Sequence, residues 1–172
     1  MFVRSSEYIE TIEAHPKALA KIKKYEDITD RINNEMKEFV EDLIEHTLNS
    51  EQSKECLSLL NISREFENIG DYINKFVTYK TKLSLDGDLT EEKLRVVSEL
   101  FDECHSLFHI SCLGIVGQKK LSEEEMLSKS QAFKSKCESI RHELSDGNLV
   151  FSDMLTALRK IRSHSYRLYL EI

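Results

Sequence analysis

The chain has 172 residues, of which 40% are hydrophobic and 32% are charged, with five glycines, one proline and a formal net charge of −7. This length suits a single domain with one hydrophobic core. The scarcity of Gly and Pro and the many Leu, Glu, Lys and Ile residues predict helices joined by short turns. The negative charge and the lack of a basic stripe argue against a nucleic-acid partner, because phosphate backbones are bound by clustered Lys and Arg.

The four cysteines, Cys56, Cys104, Cys112 and Cys137, are scattered and form no C-x-x-C pair. This pattern predicts reduced thiols, mostly in the core, in an intracellular compartment. The first residues lack the apolar stretch of a secretory signal, and no run of about 18 apolar residues could span a bilayer. The sequence therefore predicts a cytoplasmic domain.

Turn residues divide the sequence into one short helix and five long ones. The short helix is expected to end before His15-Pro16, because the residue before a proline avoids the helical region. Thr90 is a candidate N-cap, and Ser122 with Glu125 has the spacing of a capping box. The predicted helices cover approximately residues 5–14, 17–48, 51–83, 91–117, 123–144 and 149–172.

The first two long helices carry apolar residues at spacings of three, four or seven, which predicts that each buries one stripe in the core. The predicted stripe of the first is Ile22, Tyr25, Ile32, Met36, Phe39 and Leu43, and that of the second is Leu59, Ile62, Phe66, Ile69, Ile73 and Phe76.

Two pairs of acids with the same spacing occur on these two helices, Glu26 with Asp30 and Glu67 with Asp71. Residues four apart share one side of a helix. If the chain reverses at residues 49–50, a rise of about 1.5 Å per residue places the four acids within ~3 Å of one level. We therefore predict that the four carboxylates converge on the seam of a helical hairpin. Asp27 points about 100° away from Glu26 and is expected to be solvated.

Four carboxylates at one level repel one another unless a cation lies between them. Oxygen ligands suit Mg²⁺, Mn²⁺, Ca²⁺ or iron. Arg64 is expected either to neutralise part of the cluster or to fix one carboxylate by a bidentate pair. Gly70 lies inside a helix, at a cost of about 1 kcal/mol relative to Ala, which predicts a close approach of the backbone to a neighbour. The alternative is a solvated polar face without metal, in which Arg64 makes only surface ion pairs.

Asp102, His105 and His109 lie near one face of another predicted helix and are a second candidate for binding a transition metal, although packing or surface roles are commoner for such residues. A di-iron carboxylate enzyme would need two Glu-x-x-His motifs, and the sequence has none. No strand–turn–helix nucleophile elbow is visible either. The sequence therefore does not predict an enzyme.

The helices also suggest an internal repeat. Residues 25–36 can be aligned with residues 133–144, which pairs Tyr25 with Phe133 and Ile32 with Ile140. In the helices that follow, Glu67 pairs with Ile161 and Asp71 with Ser165. The second half thus keeps the apolar spacing and loses most of the acids.

The segment from Arg64 to Asp71, followed by Asn74, resembles the R-x-x-E-x-I-G-D signature of the PhoU family, and Glu26 to Asp30 resembles the E/D-x-x-x-D motif of the preceding helix in that family. The longer stretch LLNISREFENIGDYI is similar to the PhoU-like cytoplasmic domain that follows bacterial sodium/phosphate cotransporters. The resemblance implies an all-α antiparallel bundle of two three-helix repeats with a shortened first helix. One domain would cover residues 1–172, with repeat 1 at about 1–84 and a degenerate repeat 2 at about 88–172.

The resemblance also implies a divalent or ferric metal ion, which Glu26, Asp30, Glu67 and Asp71 would bind with Arg64, Asp27 and Asn74 in support. No second site is expected, because three of the four paired positions in repeat 2, Lys134, Ile161 and Ser165, are not acidic. The implied function is a non-catalytic regulatory or accessory role in phosphate uptake. The implied partner is a membrane phosphate transporter, in the same polypeptide or a separate one, or a signalling protein. A homodimer and a tether to the inner face of the membrane also fit. The alternative is a metal-free structural or interaction bundle.

Overall fold

The structure of the protein is a computed structural model, and it describes residues 2, 5, 9, 12, 16–118 and 121–171. Of the residues that the structure describes, 87% are helical. No strand occurs among the described residues, so the predicted all-α class and helical bundle are confirmed. The helices within these residues are α1 (Pro16–Ile44), α2 (Ser50–Asp86), α3 (Glu91–Ile115), α4 (Glu123–Leu144) and α5 (Leu149–Leu170).

The predicted helix starts agree closely with the structure, whereas the predicted end of the first long helix is wrong. That helix, α1, ends at Ile44 and not near residue 48. It ends early because the chain must turn before Asn49, whose side chain accepts the backbone N–H groups of Glu51 and Gln52 and so begins α2. The predicted helix at residues 5–14 lies largely outside the described residues, although Ser5 and Ile9 are described as helical and buried.

The predicted caps of the later helices are confirmed. The Thr90 hydroxyl accepts the N–H of Lys93 at the start of α3. Ser122 and Glu125 form the capping box that begins α4. Gly87 ends α2 with a φ of 76°, a left-handed conformation that suits a residue without a Cβ. Local sequence therefore sets where the helices begin and end.

Among the described helices, the two most extensive contacts are made by α2, which packs against both α5 and α1. Helices α2 and α5 are antiparallel, since Glu65 meets His164 while Asp88, beyond the end of α2, accepts a hydrogen bond from Asn148. Helices α3 and α4 pack on α5. Helix α3 runs parallel to α5, and the buried Ser111 hydroxyl donates to the Ser165 carbonyl over 2.7 Å.

The core lies between α2, α3 and α5 and is rich in aromatic rings. Phe76 stacks on Phe101 with ring centroids 5.2 Å apart, and Phe2 packs against Phe101 at 5.3 Å. Lys80 is fully buried on α2, and this burial lowers its pKa to about 8. In the part of the chain that the structure describes, no helix is both long enough and apolar enough to cross a bilayer.

The predicted core stripe of α1 is only partly buried, which corrects the sequence interpretation. Ile22 is buried, whereas Ile32 is 50% exposed and Phe39 is 54% exposed. Among the described helices, α1 packs only against α2, so nothing in that set covers the outer part of its stripe. On α2, the stripe is buried at Ile69, Ile73 and Phe76 but exposed at Leu59.

Candidate functional site

The hairpin of α1 and α2 has the register that the sequence predicts. Ser63 on α2 donates to the side-chain oxygen of Asn33 on α1 over 3.1 Å, and both residues are buried. One to two turns away, a Cβ built on Gly70 would stand 2.8 Å from the Thr29 hydroxyl oxygen. The predicted close approach at Gly70 is confirmed, and it is what allows the acid-bearing parts of the two helices to lie side by side.

A groove of about 320 Å³ lies on one side of this hairpin, and we call it the polar groove. It contains two of the predicted ligands, Asp30 and Glu67, together with the cations Lys37 and Arg64. The remaining lining consists of side-chain amides that can both donate and accept hydrogen bonds, from Asn33, Asn34 and Asn68. Its chemistry is therefore mixed in charge and not purely acidic.

The four predicted acids lie close enough to influence one another electrostatically. Partial burial, followed by the negative charges of Asp30, Asp27 and Asp71, raises the pKa of Glu26. Partial burial and the charges of Asp30 and Asp71 also raise the pKa of Glu67, against the opposing effect of Lys37 and His164. The hairpin thus brings these acids near one another, and two of them, Asp30 and Glu67, line the polar groove.

Asp71 is already engaged by a cation that the sequence interpretation missed. Lys75 Nζ lies 2.6 Å from Asp71 Oδ2, one helical turn along α2. The hydrogen bond to Asp71 is the main reason that the pKa of Lys75 is raised. The same ammonium group lies 4.7 Å from the centre of the Tyr72 ring. The four-residue spacing of Asp71 and Lys75 was the signal that would have revealed this ion pair.

The three predicted supporting residues, Arg64, Asp27 and Asn74, make no contact with the four acids among the hydrogen bonds and ion pairs of the described residues. Arg64 is exposed and donates to the side chain of Asn61, so of the two predicted roles the bidentate pair with a carboxylate is wrong. Asp27 is exposed, as predicted. Asn74 is half-buried, and its carbonyl accepts from Thr78. Arg64 therefore contributes charge to the polar groove without holding a carboxylate.

Whether these residues fit a metal ion depends on chemistry and on placement. The carboxylates provide suitable oxygen donors for a hard cation. However, Asp71 is paired with Lys75, and no group of three or more His, Cys, Asp or Glu side chains in the described part of the chain is arranged to hold a metal. As the side chains stand, the four acids are not gathered into a metal-binding group.

The second candidate site, on α3, is not assembled either. His105 is half-buried and stacks on Phe2, with ring centroids 5.1 Å apart, whereas Asp102 and His109 are exposed. His105 thus has the packing role that the sequence analysis preferred.

The cysteines are described throughout and show no sign of activation. Cys56, Cys104 and Cys137 are buried, and Cys112 is half-buried, so the predicted core placement is correct for three of the four. Burial raises the pKa of Cys112 to about 11 and that of Cys137 to about 12. Thiols with raised pKa values are poor nucleophiles at neutral pH.

A buried polar pair between α2 and α5 was not found from the sequence. Glu65 Oε2 on α2 lies 2.6 Å from His164 Nδ1 on α5, and both side chains are buried. The His164 ring also stacks on Tyr72 at 5.5 Å. Because 99 residues separate the two members of this pair, no local spacing in the sequence could reveal it.

The fold and this site together define a helical bundle whose first hairpin displays an acidic face beside a groove of mixed charge. The family model of the PhoU domain matches residues 1–79, which contain all four acids, Arg64, Asp27 and Asn74. The PhoU domain is a helical bundle, and its family is regulatory and non-catalytic. No curated protein and no solved structure shows significant similarity to the chain.

Proposed function

We propose that this chain is a non-catalytic regulatory domain in phosphate homeostasis. It acts on the cytoplasmic side by contacting a membrane phosphate transporter, such as a sodium/phosphate cotransporter, or a signalling partner of that transporter. The observation that carries the proposal is the PhoU domain match over residues 1–79, because it coincides with the hairpin that bears the polar groove and the acids.

The chemistry of the hairpin supports binding better than catalysis. The polar groove combines two carboxylates, two cations and three amides, and each type can contact a polar ligand or a partner side chain. A groove of this kind recognises charge without providing an activated nucleophile. A regulatory contact of this type needs a surface whose charge the partner can match.

Phosphate uptake in the native host tests this proposal. Cells lacking the gene are compared with cells carrying it, in media rich and poor in phosphate, by measuring radiolabelled phosphate uptake and total cellular phosphate. We expect uptake to lose its adjustment to the external phosphate supply when the gene is deleted. Unchanged uptake and unchanged cellular phosphate in both media would contradict the proposed function.

Metal binding by Glu26, Asp30, Glu67 and Asp71 stays a prediction. Burial is the main reason that the pKa values of Glu26 and Glu67 are raised, but the negative charges of Asp30 and Asp71 add to it. A cation would relieve that repulsion, which favours metal binding, while the Asp71–Lys75 ion pair opposes it. Metal analysis of protein purified without chelator tests it against a Glu67→Gln/Asp71→Asn variant. Stoichiometric metal in the wild type that is lost in the variant would support binding. Equally negligible metal in both would favour the metal-free interaction bundle.

A further inference from the structure

The hairpin of α1 and α2 has a second groove on another face, of about 340 Å³ and almost wholly apolar. We call it the apolar groove and define it by Ile32 and Met36 of α1 and Leu59, Ile62 and Phe66 of α2. Ile32 is 50% exposed and Leu59 is 40% exposed. Leaving aliphatic side chains of both helices open to water at one place is unfavourable, which marks the surface as a contact site.

The apolar groove adjoins the site where Phe2 packs. A neighbouring cavity of about 320 Å³ is lined in part by Phe2 and shares Phe66 and Thr29 with the apolar groove. There, Phe2 stacks on Phe108 with ring centroids 4.9 Å apart. The chain itself therefore already buries an apolar side chain at one end of this surface, and the rest of the surface stays open.

The other half of the molecule shows what covers such a surface. Ile140 of α4, which the predicted internal repeat pairs with Ile32, is only 8% exposed. Phe133 is likewise buried, whereas its counterpart Tyr25 is not. In that half, α3 packs against both helices of the hairpin formed by α4 and α5. Among the described helices, α1 contacts only α2, so a helix is the kind of cover that the open face of this hairpin could take.

The tip of the hairpin, residues 35–55, carries a net negative charge, which indicates that a partner in the apolar groove would be basic. Residues 35–55 contain seven acidic and two lysine side chains, so this segment accounts for five of the seven net negative charges of the chain. All nine of these side chains are exposed. A basic partner would be attracted to the tip, whereas an anionic lipid surface would be repelled.

We propose that the apolar groove docks an amphipathic helix of a partner protein, with an aliphatic stripe flanked by Lys and Arg. The stripe would contact Ile32, Leu59 and Phe66, and the flanking cations would meet the acids of the tip. Cytoplasmic segments of membrane proteins are enriched in Lys and Arg, so a transporter can supply such a helix. This inference deepens the proposed function by naming a contact surface and the chemistry of the partner.

The test uses the purified chain and a fluorescent synthetic peptide of about 18 residues, or about five helical turns, with Leu and Lys at amphipathic spacing. A scrambled peptide of the same composition is the peptide control. Binding is measured by fluorescence anisotropy in the absence of phosphate, so the result does not depend on a role in phosphate homeostasis.

We expect saturable binding that salt weakens and that Leu59→Asp weakens by about tenfold or more, since the new carboxylate would be desolvated in the groove. Leu127→Asp is the matched control, because Leu127 is also 40% exposed but lies on α4. It should change binding by less than about twofold. Circular dichroism verifies that each variant is folded.

Three results would overturn the inference. The first is a lack of saturable binding by the folded wild type, and the second is equal binding by the amphipathic and scrambled peptides. The third is a stable dimer in sedimentation that Ile32→Asp converts to a monomer, because a second copy of the chain would then occupy the apolar groove.

Discussion

Thr29 and Gly70 face each other across the hairpin so closely that a Cβ on Gly70 would stand 2.8 Å from the Thr29 hydroxyl oxygen. The same hydroxyl donates to the Glu26 carbonyl over 2.8 Å, which holds it in place. This contact fixes the distance between the two acid-bearing helices.

The contact predicts that Gly70→Ala destabilises the protein. Overpacking costs about 1–3 kcal/mol, which outweighs the gain of about 1 kcal/mol in helix propensity. With Thr29→Ala in place, the remaining neighbour would be the Cβ of residue 29 at 3.6 Å, an ordinary contact, so adding Gly70→Ala should then stabilise. Urea unfolding of the two single variants and the double variant measures both effects. A Gly70→Ala effect with the same sign in both backgrounds would disprove this role of Thr29.

The buried pair of Glu65 and His164 predicts a large mutational effect. Glu65→Leu would leave the imidazole without its partner in the interior, at a cost of about 1–3 kcal/mol in the free energy of unfolding. The matched control is Glu35→Gln at the exposed Arg31–Glu35 pair, which should change stability by less than about 0.5 kcal/mol. Urea unfolding at pH 7 compares the two, and equal small effects would mean that the buried pair does not stabilise the contact between α2 and α5.

The raised pKa of Glu67 predicts that its charge destabilises the fold at neutral pH. A carboxyl whose pKa is higher in the folded state opposes folding once it is ionised, and this cost disappears as the pH falls below the ordinary value of 4.5. Glu67→Gln should therefore raise the Tm at pH 7 by about 1–3 °C.

The difference between Glu67→Gln and the wild type should shrink as the pH is lowered toward 4, because the wild-type carboxyl then becomes protonated. Thermal unfolding by circular dichroism across that range measures it, with the exposed Glu35→Gln as the control. A gain in Tm that is the same at pH 7 and pH 4 would show that the effect has another cause.

The sequence predicted the helices and the register of the hairpin because both follow from local rules. Spacing of apolar residues, Asn49, Thr90 and Ser122 as caps, and Gly87 as a stop specify where the helices lie. The register of Glu26 and Asp30 against Glu67 and Asp71 follows from one short turn and the rise of a helix.

The side-chain contacts within the site were harder to predict, because they depend on side-chain orientation and on helices that are distant in the sequence. Lys37 enters the polar groove beside Asp30, while Arg64 bonds Asn61, and the motif does not distinguish between these outcomes. The pairing of Glu65 with His164 depends on how α5 packs against α2. The exposure of Ile32 was missed for a similar reason, since apolar spacing shows which face of a helix is apolar but not whether another element covers it.

Complementation with a variant that neutralises two of the four acids, Glu67 and Asp71, tests the central claim most directly. Host cells lacking the gene receive the wild type, Glu67→Gln/Asp71→Asn, or the exposed control Glu35→Gln, and phosphate uptake is measured in rich and poor medium at equal protein levels. The account predicts that the wild type and Glu35→Gln restore the adjustment of uptake to phosphate supply, whereas the double variant restores less than about a tenth of it, because it neutralises two of the acids on the hairpin. Full restoration by the double variant would contradict the claim that this acidic face carries the regulatory function.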